Sequence, residues 1–169
     1  MPRDSGRAVA LACLATIAVA DYVIRRRKPP WLVVGMFDHP AHVATAVLLR
    51  RKPTGAYLAG SLLPDLDHVP LALRAVHPAP NDPRPVTHCL LTVAPVATRH
   101  KEVALGMLAH FVRDLGVGTG VPLLWPLTRR RVRVPYAAYA VLVFAAAYSR
   151  SRPSGAAPAH IPGASGRGP

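Results

Sequence analysis

EVALGMLAHFVRDL, residues 102–115, places its apolar side chains at the three- and four-residue steps of an α-helix more regularly than any other part of the chain. His110 and Asp114 sit four residues apart within it, so an imidazole and a carboxylate project together from one face. Gly106, one turn earlier on that face, allows a neighbouring helix to approach closely. Gly116, Gly118 and Gly120 then stop the helix. Beyond them VPLLWPL (121–127) reads as an apolar turn or interfacial segment, with Trp125 suited to headgroup level. VPYAAYAVLVFAAAY (134–148) is another apolar helix, short for a full span, and residues 149–169 read as a disordered tail of Ser, Gly, Pro, Ala and Arg.

Upstream of residue 102 the same helical grammar holds. Residues 87–98 are apolar, with Pro95 predicting a break or kink, and the Pro-rich stretch 76–86 reads as a loop. The polar turn PDLDHVP (64–70) follows two Ala/Leu-rich helices at 41–50 and 55–63. No run alternates apolar and polar residues for long enough to make a sheet. The class is therefore all-α, a membrane-associated helical bundle with its core at 36–148 and the tail at 149–169. Residues 1–35 read as an anchor or extension ahead of it. Their apolar run 8–24 falls short of the roughly 20 residues of a confident span and ends in the cationic stop Arg25 to Lys28. Pro29 and Pro30 break the chain before Met36, which is an alternative start.

Lys and Arg total 21 against 8 Asp and Glu, giving a formal charge of +13, and 51% of residues are apolar. That much apolar surface excludes a wholly disordered chain. Charged residues make up only 17%, fewer than the quarter or so of an ordinary cytosolic globule. Cys13 and Cys89 are too few for a disulfide framework or a thiolate zinc site. Eleven cations lie in the runs Arg25 to Lys28, Arg50 to Lys52 and Arg129 to Arg133, each bordering an apolar segment as at a membrane surface. With aromatics at 6% and no recognition helix, direct nucleic-acid binding is disfavoured. Were all three runs cytoplasmic, the polar residues between them would lie near that face.

Six of the eight acids and seven of the eight histidines fall between residues 38 and 114. A carboxylate in such apolar surroundings must be paired or bound to metal. Three clusters stand out: Asp65-Leu66-Asp67-His68, Thr87-His88, and His110 with Asp114, and His42 is a further candidate ligand. Singly, each has an ordinary structural explanation, as an Asx turn, a capping histidine or an i,i+4 hydrogen-bonded pair. Together they make the mixed His/carboxylate set that zinc, manganese or iron sites use.

The strings GSLLPDLDH (60–68), RPVTHCLL (84–91) and LGMLAHFVRDLGVGTGVPLLWPL (105–127) resemble the bacterial membrane-bound metal-dependent hydrolase family, the YdjM-like group. The resemblance implies an inner-membrane location and an all-α fold distantly similar to zinc phospholipase C and P1-type nucleases. It implies a divalent metal, zinc or alternatively manganese, on His42, Asp65, His68, His88, His110 and Asp114. Asp67 would orient a ligand or act as general base, and Arg84 and Arg113 would clamp the anion of a phosphoester. A regulatory member of the family, described as binding the SOS repressor, adds a regulatory protein partner to membrane lipids as implied partners. The family usually reads His-Arg-Gly-x-Thr-His-Ser where this chain has Pro83-Arg84-Pro85-Val86-Thr87-His88-Cys89, with His77 as a stand-in for the missing histidine. That departure keeps open a second reading, a membrane scaffold or regulator whose metal is structural or vestigial.

Overall fold

The computed structural model describes residues 3–27, 29–68 and 86–152, and every regular element among them is helical. Helix α1 (Arg3–Tyr22) does not end with its apolar run but continues through a π-helical turn, Val23–Arg27. The arginines expected to stop it lengthen it instead. Ser5–Arg27 is 23 residues long, about 34 Å at 1.5 Å per residue, and passes as long and apolar enough to cross a membrane by length and composition. Helix α2 (Trp31–Leu49) starts directly after Pro30. Its segment Leu32–Leu49 is the second helix long and apolar enough to cross a membrane by length and composition. The boundary expected at residue 36 thus falls inside α2, which also runs through Pro40. The carbonyl that Pro40 cannot bond belongs to Met36, an exposed residue.

Helices α1, α2, α5 (Lys101–Val117) and α6 (Tyr136–Ser151) form an up-down bundle. At one end Arg113, near the close of α5, meets Asp21 of α1 and Asp38 of α2. At the other end Arg50 closes α2 against Glu102 at the start of α5, and Arg150 of α6 donates to the Val47 and Arg50 carbonyls. The runs Arg25–Arg27 and Arg50–Lys52 therefore lie at opposite ends of α2, not on one face. Its 19 residues separate them by roughly 28 Å.

Alanines make up much of the buried interior, and many large apolar side chains face outward. Ala10, Ala20, Ala41, Ala44, Ala46, Ala104, Ala109 and Ala147 are buried, while Leu11, Val19, Leu32, Met36, Leu91, Val141 and Phe144 are exposed. Water would penalise that sorting. Lipid does not, and helices in lipid associate through small residues that let backbones come close.

The closest approach joins α5 to α3 (Gly55–Gly60), whose first turn is capped by the Thr54 hydroxyl accepting from the Tyr57 N–H. A Cβ on Gly60 would strike the Val103 carbonyl, and one on Gly106 would strike the carbonyl of Tyr57. The helix read at 55–63 ends early, at Gly60, and passes into a 3-10 turn, Leu63–His68. A second short 3-10 turn, Val86–His88, leads into α4 (Leu90–Arg99), which carries Pro95 without ending. Gly116 does not stop α5 either. It lies in the last turn, where a side chain would meet the Tyr139 ring, and Gly118 is the C-cap. The segment after it folds back, with Leu90 N–H donating to the Leu123 carbonyl and Val121 paired to Val132 in a single antiparallel bridge. Helix α6 continues to Ser151. The Pro-rich loop to residue 85 and the tail from 153 lie outside the described residues.

Candidate metal centre

Four elements bring their polar side chains to one point inside this apolar bundle. Helix α5 presents His110 and Asp114 from adjacent turns, their Nε2 and Oδ2 atoms 3.3 Å apart. The Leu63–His68 turn brings Asp65 to them, since three residues per 3-10 turn set Asp65 and His68 on one side. The Val86–His88 turn adds His88, and α2 adds His42.

The atoms converge at spacings typical of ligands around one cation. His88 Nε2 lies 3.3 Å from His110 Nε2, 3.4 Å from Asp114 Oδ2 and 3.5 Å from Asp65 Oδ1. His110 Nε2 lies 3.6 Å from the same Asp65 oxygen. Zinc bonds of 2.0–2.1 Å in a tetrahedron put neighbouring ligand atoms about 3.3 Å apart. His42 Nε2 completes the group at 3.6 Å from Asp114 Oδ1 and 3.9 Å from Asp65 Oδ2.

Protons alone do not explain this arrangement. The His110 Nδ1 is 2.8 Å from the Ser61 carbonyl, which can only accept, so the ring proton is on Nδ1 and the Nε2 lone pair faces inward. The His88 Nδ1 faces Asp67 Oδ2 at 3.3 Å, which places its proton there too. With both rings neutral, two inward lone pairs oppose each other at 3.3 Å, a repulsion that a cation between them, or a proton on one ring, removes. His42 is fully buried, and among the described residues neither of its ring nitrogens has a hydrogen-bond partner. Leaving such polar atoms unsatisfied costs about 1–3 kcal/mol each. The donor set therefore fits a divalent metal.

A second layer holds the first. The Asp67 carboxylate bonds the Thr87 hydroxyl as well as facing His88, and Thr87 Oγ1 also reaches the Pro64 carbonyl at 2.9 Å. Asp67 stands behind His88, away from the convergence point, as an orienting carboxylate does. His68 is at the rim, its Nδ1 2.8 Å from Asp67 Oδ1 and 3.4 Å from Asp65 Oδ1. Burial works against the charged form of all these groups, but their mutual attraction outweighs it. Asp65 and Asp67 are held far below the usual carboxylate range by bonds from His68 and His88. His88 is raised, and His68 is pushed up to about 9 by Asp65 and Asp67.

All six expected ligands thus come together with Asp67. Arg84, Pro83, Pro85 and His77 lie outside the described residues. Arg113 is not an anion clamp. It is fully buried, with Nε on Asp38, one terminal nitrogen on Asp21 and the other on the Tyr139 hydroxyl, which leaves no face for a substrate. Sequence reading missed Asp38 and His39. Asp38 approaches His42 Nε2 at 3.7 Å, and His39 Nε2 lies 3.4 Å from Asp65 Oδ2. The signal was present, because Asp38 and His42 have the same four-residue spacing as His110 and Asp114.

A model of one protein family matches the chain over residues 8–163, which takes in nearly the whole of this bundle. The chain belongs to the YdjM inner membrane protein family. The match takes in most of α1, which the expected core at 36–148 left out. An inner-membrane family name agrees with the two long apolar helices and with large side chains facing outward. No curated protein and no solved structure matches the chain.

Proposed function

We propose that this chain is a membrane-bound metal-dependent hydrolase that cleaves a phosphoester. The convergence of His88 and His110 Nε2 with Asp65 and Asp114 oxygens at 3.3–3.6 Å carries this reading. These residues, with His42 and with His68 at the rim, would hold a divalent cation, zinc before manganese. Such a cation supplies Lewis acidity, polarising a phosphoryl oxygen and lowering the pKa of water towards 7. The chain's own residues do the rest. The Ser61 carbonyl and Asp67 fix the tautomers of His110 and His88, and Asp67, turned away from the convergence point, serves as an orienting carboxylate and not as the general base. With Arg113 committed to its carboxylates, the anion clamp falls to Arg84, three residues before Thr87. Exposed Leu66, inside the Asp65–His68 turn, favours a lipid-like substrate. The likeness to zinc phospholipase C and P1-type nucleases rests on the donor chemistry alone.

The test is metal analysis and bis-p-nitrophenyl phosphate hydrolysis on detergent-purified protein. Wild type should carry zinc or manganese and turn over. His110→Ala with Asp114→Ala should lose both, and Asp67→Asn should weaken metal affinity by roughly 10–100-fold. Well-folded wild type that takes up no metal sinks the proposal. Metal without turnover favours the scaffold reading, in which Pro83 and Pro85 mark a lost catalytic element and the partner is a regulatory protein.

We also place the centre towards the cytoplasmic side. Its Asp114 lies in the last turn of α5, beside Arg113, at the bundle end where three arginines follow directly on the long apolar helix α1, the pattern of a cytoplasmic loop. A cysteine at Arg26 in an otherwise cysteine-free chain should resist a membrane-impermeant maleimide in intact cells and react after lysis. Labelling in intact cells reverses the assignment.

A further inference from the structure

We propose that the centre is dinuclear, with a second cation position built by Asp38, His39 and His42 of α2, and with Asp65 and Asp114 as bridging carboxylates. This rests on the metal-centre reading above and adds to it two ligands and a nuclearity.

The two carboxylates divide their oxygens between two groups of nitrogens. Asp114 turns Oδ2 to His88 and His110, at 3.4 and 3.3 Å, and Oδ1 to His42, at 3.6 Å. Asp65 does the same. Its Oδ1 faces His88 and His110, while its Oδ2 faces His39 at 3.4 Å and His42 at 3.9 Å. A carboxylate that bridges two ions through both oxygens presents each oxygen to its own set of nitrogens, which is the division seen here.

The imidazoles give the separation. His42 and His110 are stacked, with ring centroids 3.7 Å apart and planes within 5°. Both point Nε2 at the Asp114 carboxylate, each at a different oxygen. Parallel rings aimed the same way at 3.7 Å cannot share one tetrahedral ion comfortably, but they suit two ions about 3.5–4 Å apart, the spacing of two-metal hydrolytic sites. The second position has its own donors. Asp38 Oδ2 lies 3.7 Å from His42 Nε2, too far for a hydrogen bond and in range for two ligands of one ion. His42 is fully buried, with neither ring nitrogen hydrogen-bonded among the described residues. Arg113 holds Asp38 Oδ1 at 2.8–2.9 Å, which leaves Oδ2 turned to His42.

The sets differ in access. His88 and His110 are completely buried, whereas His39 is half exposed at the bundle surface, so the second position is the less enclosed of the two. The experiment is metal stoichiometry on purified full-length protein reconstituted with manganese, read by plasma mass spectrometry and by electron paramagnetic resonance. Wild type should bind two ions per chain and give the signal of an exchange-coupled pair. His39→Ala with His42→Ala should bind one and give an isolated-ion signal, with size-exclusion elution unchanged. His39→Ala alone removes only a half-exposed side chain and should weaken the second ion selectively, which guards against misfolding of the double variant. A single ion in wild type overturns the second position and leaves the metal reading intact. No ion overturns both. A coupled pair that survives the double variant overturns the assignment of these ligands.

Discussion

Arg113→Leu should cost about 3–5 kcal/mol of stability, the largest loss expected from any single substitution in this chain. The guanidinium is fully buried between three helices and bonds two carboxylates and a hydroxyl, Asp38 at 2.9 Å, Asp21 at 2.9 Å and Tyr139 at 3.1 Å. Removing it leaves Asp21, itself 4% exposed, with a buried negative charge and, among the described residues, the Tyr136 hydroxyl to answer it. Arg113→Lys should recover only part of the loss, because one ammonium cannot present the planar fork that reaches all three partners. Arg113→Leu combined with Asp21→Leu should be more stable than Arg113→Leu alone, since both buried charges then go together. Unfolding in detergent micelles, followed by circular dichroism, checks the series. A loss under 1 kcal/mol for the single variant would mean the triad is not holding α1, α2 and α5 together.

Gly106 should be intolerant too, with a smaller loss for alanine than that of Arg113→Leu. Alanine there would gain about 1 kcal/mol in helix propensity over glycine. Against that, its Cβ would run into backbone of Tyr57, Gly60 and Ser61, atoms that cannot swing aside as a side chain can. Overpacking of this kind costs about 1–3 kcal/mol, so Gly106→Ala should be a net loss and Gly106→Leu a much larger one. The damage should also reach the metal. Ser61 supplies the carbonyl that fixes the His110 tautomer, so pushing α3 off α5 should lower metal content along with the melting temperature. Gly55→Ala is the control. Nothing lies within 4 Å of its would-be Cβ, and stability and metal binding should be unchanged.

Much of the centre was readable before any coordinates. His110 and Asp114 come from helical spacing within one element, and the Asp65 to His68 turn from a dense polar string between apolar helices. Local geometry sets both, so local sequence reveals both. Asp38 and His39 carried a similar local signal in their spacing to His42, yet nothing local says that this face of α2 turns towards α5. Arg113 misled for a related reason. An arginine one residue from a ligand reads as an anion clamp until Asp21, 92 positions away, is seen to occupy it.

The sequence by itself determined the all-α class, the membrane setting, and the six residues that meet at the centre. Hydrophobic periodicity, charge placement and i,i+4 spacing are properties of short segments. The tertiary structure alone decided that α1 belongs to the bundle, that the cationic runs bordering α2 lie at its opposite ends, and that Arg113 serves the scaffold. It alone showed which oxygen of each carboxylate faces which histidine. Those are relations between helices distant in sequence. They are set by how closely small residues such as Gly60, Gly106 and Gly116 let the backbones approach, and by which buried charges must then find one another.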